Sequence, residues 1–146
     1  MKRKVLAAVI LTLASITLVG CSASSGDNIL PPSDFGYDYR VMDAVELQQN
    51  LGSTTFESPF ANISDAQTLN VFTGGSSSCP PTISSIDDTD SGAIQIKLAS
   101  NTGPCTMDYV PFGFQITAIK TNFDFSGKTV YLCQNGTCNG VPIKAS

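Results

Sequence analysis

From residue 68 onward the apolar residues fall at every second position. Leu69 and Val71 flank Asn70. Ile94, Ile96 and Leu98 alternate with Gln95 and Lys97, and Phe112, Phe114, Ile116 and Ala118 alternate with Gly113, Gln115 and Thr117. Val130 and Leu132 alternate with Thr129 and Tyr131. Successive side chains of a strand point to opposite faces, so each run has one apolar and one wet face. Gly74-Gly75-Ser76, the stretch 87–92, Asn101-Thr102-Gly103-Pro104 and Ser126-Gly127 punctuate the runs as turns. Short strands at this spacing, with no strong helix among them and no internal repeat, predict an all-β antiparallel sandwich or barrel.

The first 20 residues read as a processing signal. Lys2, Arg3 and Lys4 form a basic start, and Val5 to Val19 are apolar apart from Thr12, Ser15 and Thr17. That run is shorter than the ~20 residues of a membrane span, which makes it a signal peptide. Leu18-Val19-Gly20-Cys21 then resembles the lipobox of bacterial lipoproteins. The resemblance implies cleavage before Cys21 and a diacylglyceryl group on its thiol. It also implies attachment to the extracytoplasmic face of the cell membrane through that lipid, since two acyl chains give stable residence. Residues 21–35, rich in Ser, Gly, Asp and Pro, are then a lipidated tether, and 36–146 a single β-rich domain.

Without the leader, Arg40, Lys97, Lys120, Lys128 and Lys144 face twelve Asp and Glu, a net charge of −7. Such a surface is repelled by anionic headgroups and disfavours nucleic acid as a partner. Ahead of the strand region, Asp43-Ala44-Val45-Glu46 has the form of a capped helix start, with Leu47 and Leu51 at helical spacing and Gly52 as a stop. A short helix over 44–51 is expected; a strand over 39–47 is the alternative.

Four cysteines remain beyond Cys21: Cys79, Cys105, Cys133 and Cys138. An even number in an exported chain reads as disulfides. Asn135-Gly136 is the favoured centre of a type I′ hairpin, which brings Cys133 opposite Cys138 as the second pair from the turn. Their α-carbons are then expected ~4.5–5.5 Å apart, within disulfide reach. By elimination Cys79 bonds Cys105. Neither a zinc-ligand spacing nor a Cys-x-x-Cys redox pair is present.

Residues 68–111 carry a second resemblance. Gly75 to Pro80, and Cys105, Thr106, Asp108 and Pro111, look like Gly-Ser-Ser-Cys-Pro and Cys-Thr-x-Asp-x-x-Pro segments of small exported actinobacterial proteins. That group implies an exported β-domain with the 79–105 bond, and no activity.

The chemistry is as informative for what is missing. With no His in the chain, a Ser-His-Asp or Cys-His nucleophilic site and a His-ligated metal are excluded. Asp87, Asp88 and Asp90 are the densest acidic cluster and weak candidates for a cation, although Asp is also ordinary turn chemistry and the distal Glu of an EF-hand loop is absent. The serine runs 76–78 and 84–85 have no adjacent base and read as loops. Tyr109, Phe123 and Phe125 are candidates for an exposed patch binding a glycan or a protein, against the alternative of core packing. The sequons at Asn62 and Asn135 are not read as modified beside a bacterial lipobox.

The expected architecture is therefore a small antiparallel β-sandwich, Ig-like or barrel-like, stapled by two disulfides. No cofactor or metal is expected. The expected role is a non-catalytic binding or envelope-structural module whose partner is an envelope protein or glycan, bound at the sandwich end far from Cys21. The alternative is a carboxylate-dependent hydrolase acting on envelope polymers.

Overall fold

A computed structural model describes residues 36–53 and 55–144; the leader, Cys21 and the tether lie outside the described residues. The chain enters through strand β1 (Tyr37–Val41) and helix α1 (Ala44–Leu51), then runs through β2 (Phe60–Asp65), β3 (Thr68–Gly75), β4 (Ile83–Asp88) and β5 (Ala93–Leu98). It continues through β6 (Val110–Ala118), β7 (Thr129–Gln134), β8 (Thr137–Val141) and the two-residue β9 (Ile143–Lys144). These strands form two sheets, one ordered β1-β6-β3-β2-β9 and the other β4-β5-β7-β8.

The period-two pattern explains how the sheets meet. Leu69 and Val71 of β3, Phe114, Ile116 and Ala118 of β6, and Ala61 of β2 leave the first sheet on one face. Ile83, Ile86, Ile94, Ile96, Leu98, Val130, Leu132 and Val141 answer them from the second sheet. Apolar faces pressed together and removed from water are the main stabilising element of such a sandwich. The hydroxyl of Tyr39 also donates to the Ile83 carbonyl across the layers, at 3.1 Å.

Two pairings depart from the antiparallel expectation: β5 runs parallel to β7, and β2 parallel to β9. Parallel neighbours need a crossover. Here β6 supplies it, because the chain leaves β5, crosses into the other sheet as β6, and returns beside β5 as β7.

The helix forms where its signals stand. The Asp43 carboxylate accepts from the Val45 and Glu46 amides, and Glu46 accepts from the Asp43 amide at 3.2 Å, a full capping box. The Gly52 amide closes the other end on the Gln48 carbonyl. Leu47 and Leu51 pack with Met42, Phe60, Phe72 and Phe56 on the outer face of the five-stranded sheet, a second small core.

The hairpin also forms as its turn residues require. Asn135 and Gly136 both take positive φ, +52° and +80°, the backbone of a type I′ turn that glycine adopts freely. Gln134 pairs with Thr137 and Cys133 with Cys138, and the second pair is disulfide-bonded with α-carbons 3.9 Å apart, closer than expected. Cys79 bonds Cys105.

Candidate functional site

The second disulfide sits at the edge of a polar clasp built from the two motif segments. β3 ends at Gly75, and Ser76 to Cys79 fold back on themselves, with the Cys79 amide donating to the Ser76 carbonyl at 3.2 Å. Cys79–Cys105, with α-carbons 5.5 Å apart, brings Thr106 and Asp108 alongside these serines. The Asp108 carboxylate accepts from the Ser77 amide at 3.2 Å, from the Ser76 hydroxyl at 3.2 Å, and from the Thr106 hydroxyl. The Thr106 amide donates to Ser78 Oγ at 2.8 Å, and the Ser76 and Thr106 hydroxyl oxygens lie 2.7 Å apart. Donation from Ser77, then Thr106, holds the Asp108 carboxyl down to about 2, so it is ionised throughout the physiological range.

Tyr109 closes the clasp from the other side. The hydroxyl end of its ring lies against Gly74, where a Cβ would come within 1.9 Å of it, so a side chain at that position has no room. The ring also lies 5.9 Å from that of Phe56. Between these anchors, residues 100–109 are all exposed, and the side chain of Met107 stands wholly in solvent.

A second surface crosses the outer face of the five-stranded sheet. Lys144, Asn62, Asn70, Gln115 and Arg40 occupy one register row from β9 to β1. Asn70 donates to Asn62 at 3.0 Å and to Ser64 at 2.8 Å, and Arg40 bonds Gln115 at 3.0 Å. Arg40 then reaches Glu46 of the helix with both guanidinium branches, which draws that carboxyl down to about 2. At the β9 end the row opens into a polar groove of about 610 Å³, lined by Asn50, Thr55, Glu57, Phe60, Asn62 and Lys144. Lys144 Nζ lies 3.9 Å over the Phe60 ring, a cation held on an aromatic floor.

The expected aromatic patch does not assemble. Tyr109 precedes β6 and Phe123 and Phe125 follow its far end, so they lie at opposite ends of that strand. Phe125 is fully buried: it packs on Tyr37 and Phe123, and its amide is bonded to the Ala66 carbonyl. Phe123 is half-buried, edge-on to Tyr37 and beneath the Lys128 ammonium. The loop folds inward because two rings two residues apart fill the open end between the sheets, while Asp124 faces water and bonds the Ser126 amide.

The acidic cluster is likewise dispersed. Asp87 and Asp88 belong to β4 rather than to a turn, so they leave on opposite faces. Asp87 pairs with Lys97 at 2.7 Å and Asp88 with Lys128 at 3.8 Å, while Asp90 lies beyond the strand. Among the described residues no three His, Cys, Asp or Glu side chains converge to hold a metal ion. Asn70, placed by alternation on a wet face, is buried within the amide row. Met107 carried no signal of its own; only its position between Thr106 and Asp108 marks it. No protein-family model, curated protein or solved structure matches this chain.

Proposed function

We propose that the chain is a lipoprotein held on the extracytoplasmic face of a bacterial membrane through Cys21, with its sandwich acting as a non-catalytic binding or envelope-structural module. The observation that carries the binding-module reading is the clasped loop 100–109, an irregular exposed segment fastened where β3 ends and β6 begins. Recognition surfaces are commonly built this way, from loops positioned by a scaffold. The carboxyls of Glu46, Asp108 and Asp124 are each held below their ordinary range, the direction opposite to that required of a general acid near neutral pH. None of these three is therefore suited to be the general acid of the alternative, a carboxylate-dependent hydrolase acting on envelope polymers. An envelope protein or glycan is the class of partner, and the acidic body argues against nucleic acid.

The test has two arms. Cys21→Ser removes the acceptor thiol, so the protein leaves the membrane fraction or accumulates with its leader uncut. Wild-type protein that is soluble and lipid-free by mass spectrometry overturns the anchor. Purified protein is expected to leave peptidoglycan and other envelope polymers intact; turnover lost on changing a single Asp restores the hydrolase.

A further inference from the structure

Resting on the binding-module reading, we propose that the loop around the Met107–Asp108 bond is a substrate-like inhibitory segment. It would fill the cleft of a serine endopeptidase whose primary pocket accepts a long apolar side chain. Four observations carry this inference. First, residues 101–109 contain neither helix nor strand and bend only at Gly103 and at Met107. Second, the Met107 side chain is fully exposed, at 103% of its reference area, although methionine ordinarily seeks apolar contacts. Third, the residues on either side of it are fastened to each other and to the scaffold. Thr106 and Asp108 are hydrogen-bonded across Met107, and both are tied to Ser76–Ser78. Fourth, the next residue outward on each side is also anchored: Cys105 by its disulfide and Tyr109 by its seat on Gly74.

The outcome is one large apolar side chain projecting from a backbone immobilised at both of its neighbours. A helix-binding groove or a flat partner surface makes no use of that arrangement. An endopeptidase cleft does, because it takes a chain as an extended segment and selects it by inserting one side chain into a deep pocket, an apolar slot in chymotrypsin-type enzymes. Ordering cost is already met in the free protein, and protease–inhibitor pairs are a class in which the interface backbone moves little on binding.

The clasp also explains why such a segment inhibits instead of being consumed. Attack of the protease serine on the Met107 carbonyl forms the Oγ–C ester and breaks the bond to the Asp108 nitrogen. The serine proton passes through the protease histidine to that nitrogen, which becomes a free amine. In an ordinary substrate this amine diffuses away and water follows. Here the Asp108 side chain stays bonded to Thr106, Ser76 and Ser77, so the amine remains beside the ester and re-forms the peptide bond, returning the proton to the serine by the same route. No other reactant is required.

The experiment uses the full chain with both disulfides intact, titrated against one chymotrypsin-type, one subtilisin-type and one trypsin-type endopeptidase on small peptide substrates. Competitive inhibition of the first two is expected at or below about 10⁻⁷ M, with the third at least ~100-fold weaker. Met107→Lys is expected to reverse that preference, and Met107→Gly to weaken inhibition at least ~100-fold. Because Met107 contacts solvent alone, both variants keep the wild-type melting temperature. Asp108→Ala is expected to turn the segment into a substrate, with cleavage at 107–108, read by mass spectrometry, at least tenfold faster than wild type (on the order of the effect of losing a positioned leaving group). Absence of inhibition by folded wild-type protein, or an unchanged preference in Met107→Lys, overturns the inference. If the chain is also inert toward envelope polymers and membrane-bound, only the inhibitor inference falls. Polymer turnover by the chain overturns the reading beneath it too.

Discussion

At the scale of single residues, Asp108 is the hub of the clasp, because one carboxylate accepts from three donors that belong to two different segments. Those donors stabilise the charged form, so its pKa falls to about 2. A carboxyl whose folded pKa is depressed stabilises the fold fully above its unfolded value, near 3.9, and loses that contribution as pH drops through the folded value. Glu46, also near 2 through Arg40, acts in the same sense on the other face. Stability is therefore expected to be flat from neutral pH to about 5 and to fall between about 4 and 2. Asp108→Asn should flatten part of that fall while lowering stability at pH 7, as measured by urea unfolding across the range. A wild-type curve that rises on acidification would contradict the assignment.

At the scale of elements, the helix and the turn of the hairpin form for local reasons, and the helix does so without deep burial. No residue of α1 is fully buried, so the capping box carries a larger share of its stability than in a core helix. Asp43→Ala should cost about 1 kcal/mol and loosen the layer over Met42, Phe60 and Phe72. Amide exchange should rise over residues 44–52 while β3 and β6 stay protected. Equal loss of protection in the sheets would show that the helix is integral to the main core.

At the scale of the molecule, the two disulfides close loops of very different length, with sequence separations of 26 and 5. In the chain-entropy model the first restricts the unfolded state by about 3.6 kcal/mol and the second by about 2.2 kcal/mol. Removing Cys79–Cys105 by a double Ala substitution should thus lower the melting temperature by several degrees more than removing Cys133–Cys138. The clasp adds to the difference, since the first bond and not the second brings Thr106 and Asp108 beside the serines they bond. Scanning calorimetry of the two variants checks this, and the reverse order would place the stabilisation in the native hairpin instead.

Much of this was legible in one dimension because its causes are local. A type I′ turn needs only Asn135-Gly136, and that turn sets Cys133 opposite Cys138. A capping box needs only Asp43 and Glu46, and a core face needs only alternation, as in Ile94-Gln95-Ile96. Other features depended on what lies across the fold. Asp87 and Asp88 are turn residues by type and end β4 instead; in the sheet each meets a lysine from another segment, which neutralises it. Phe125 looked exposed beside Asp124, yet it closes the open end of the sandwich against Tyr37, 88 residues earlier. Asn70 looked wet, yet it is bonded into a row spanning the sheet. The site divides in the same way. Cys105, Thr106 and Asp108 could be singled out from their spacing, whereas Met107 is singled out only by exposure, and exposure is a property of every segment that does not cover it.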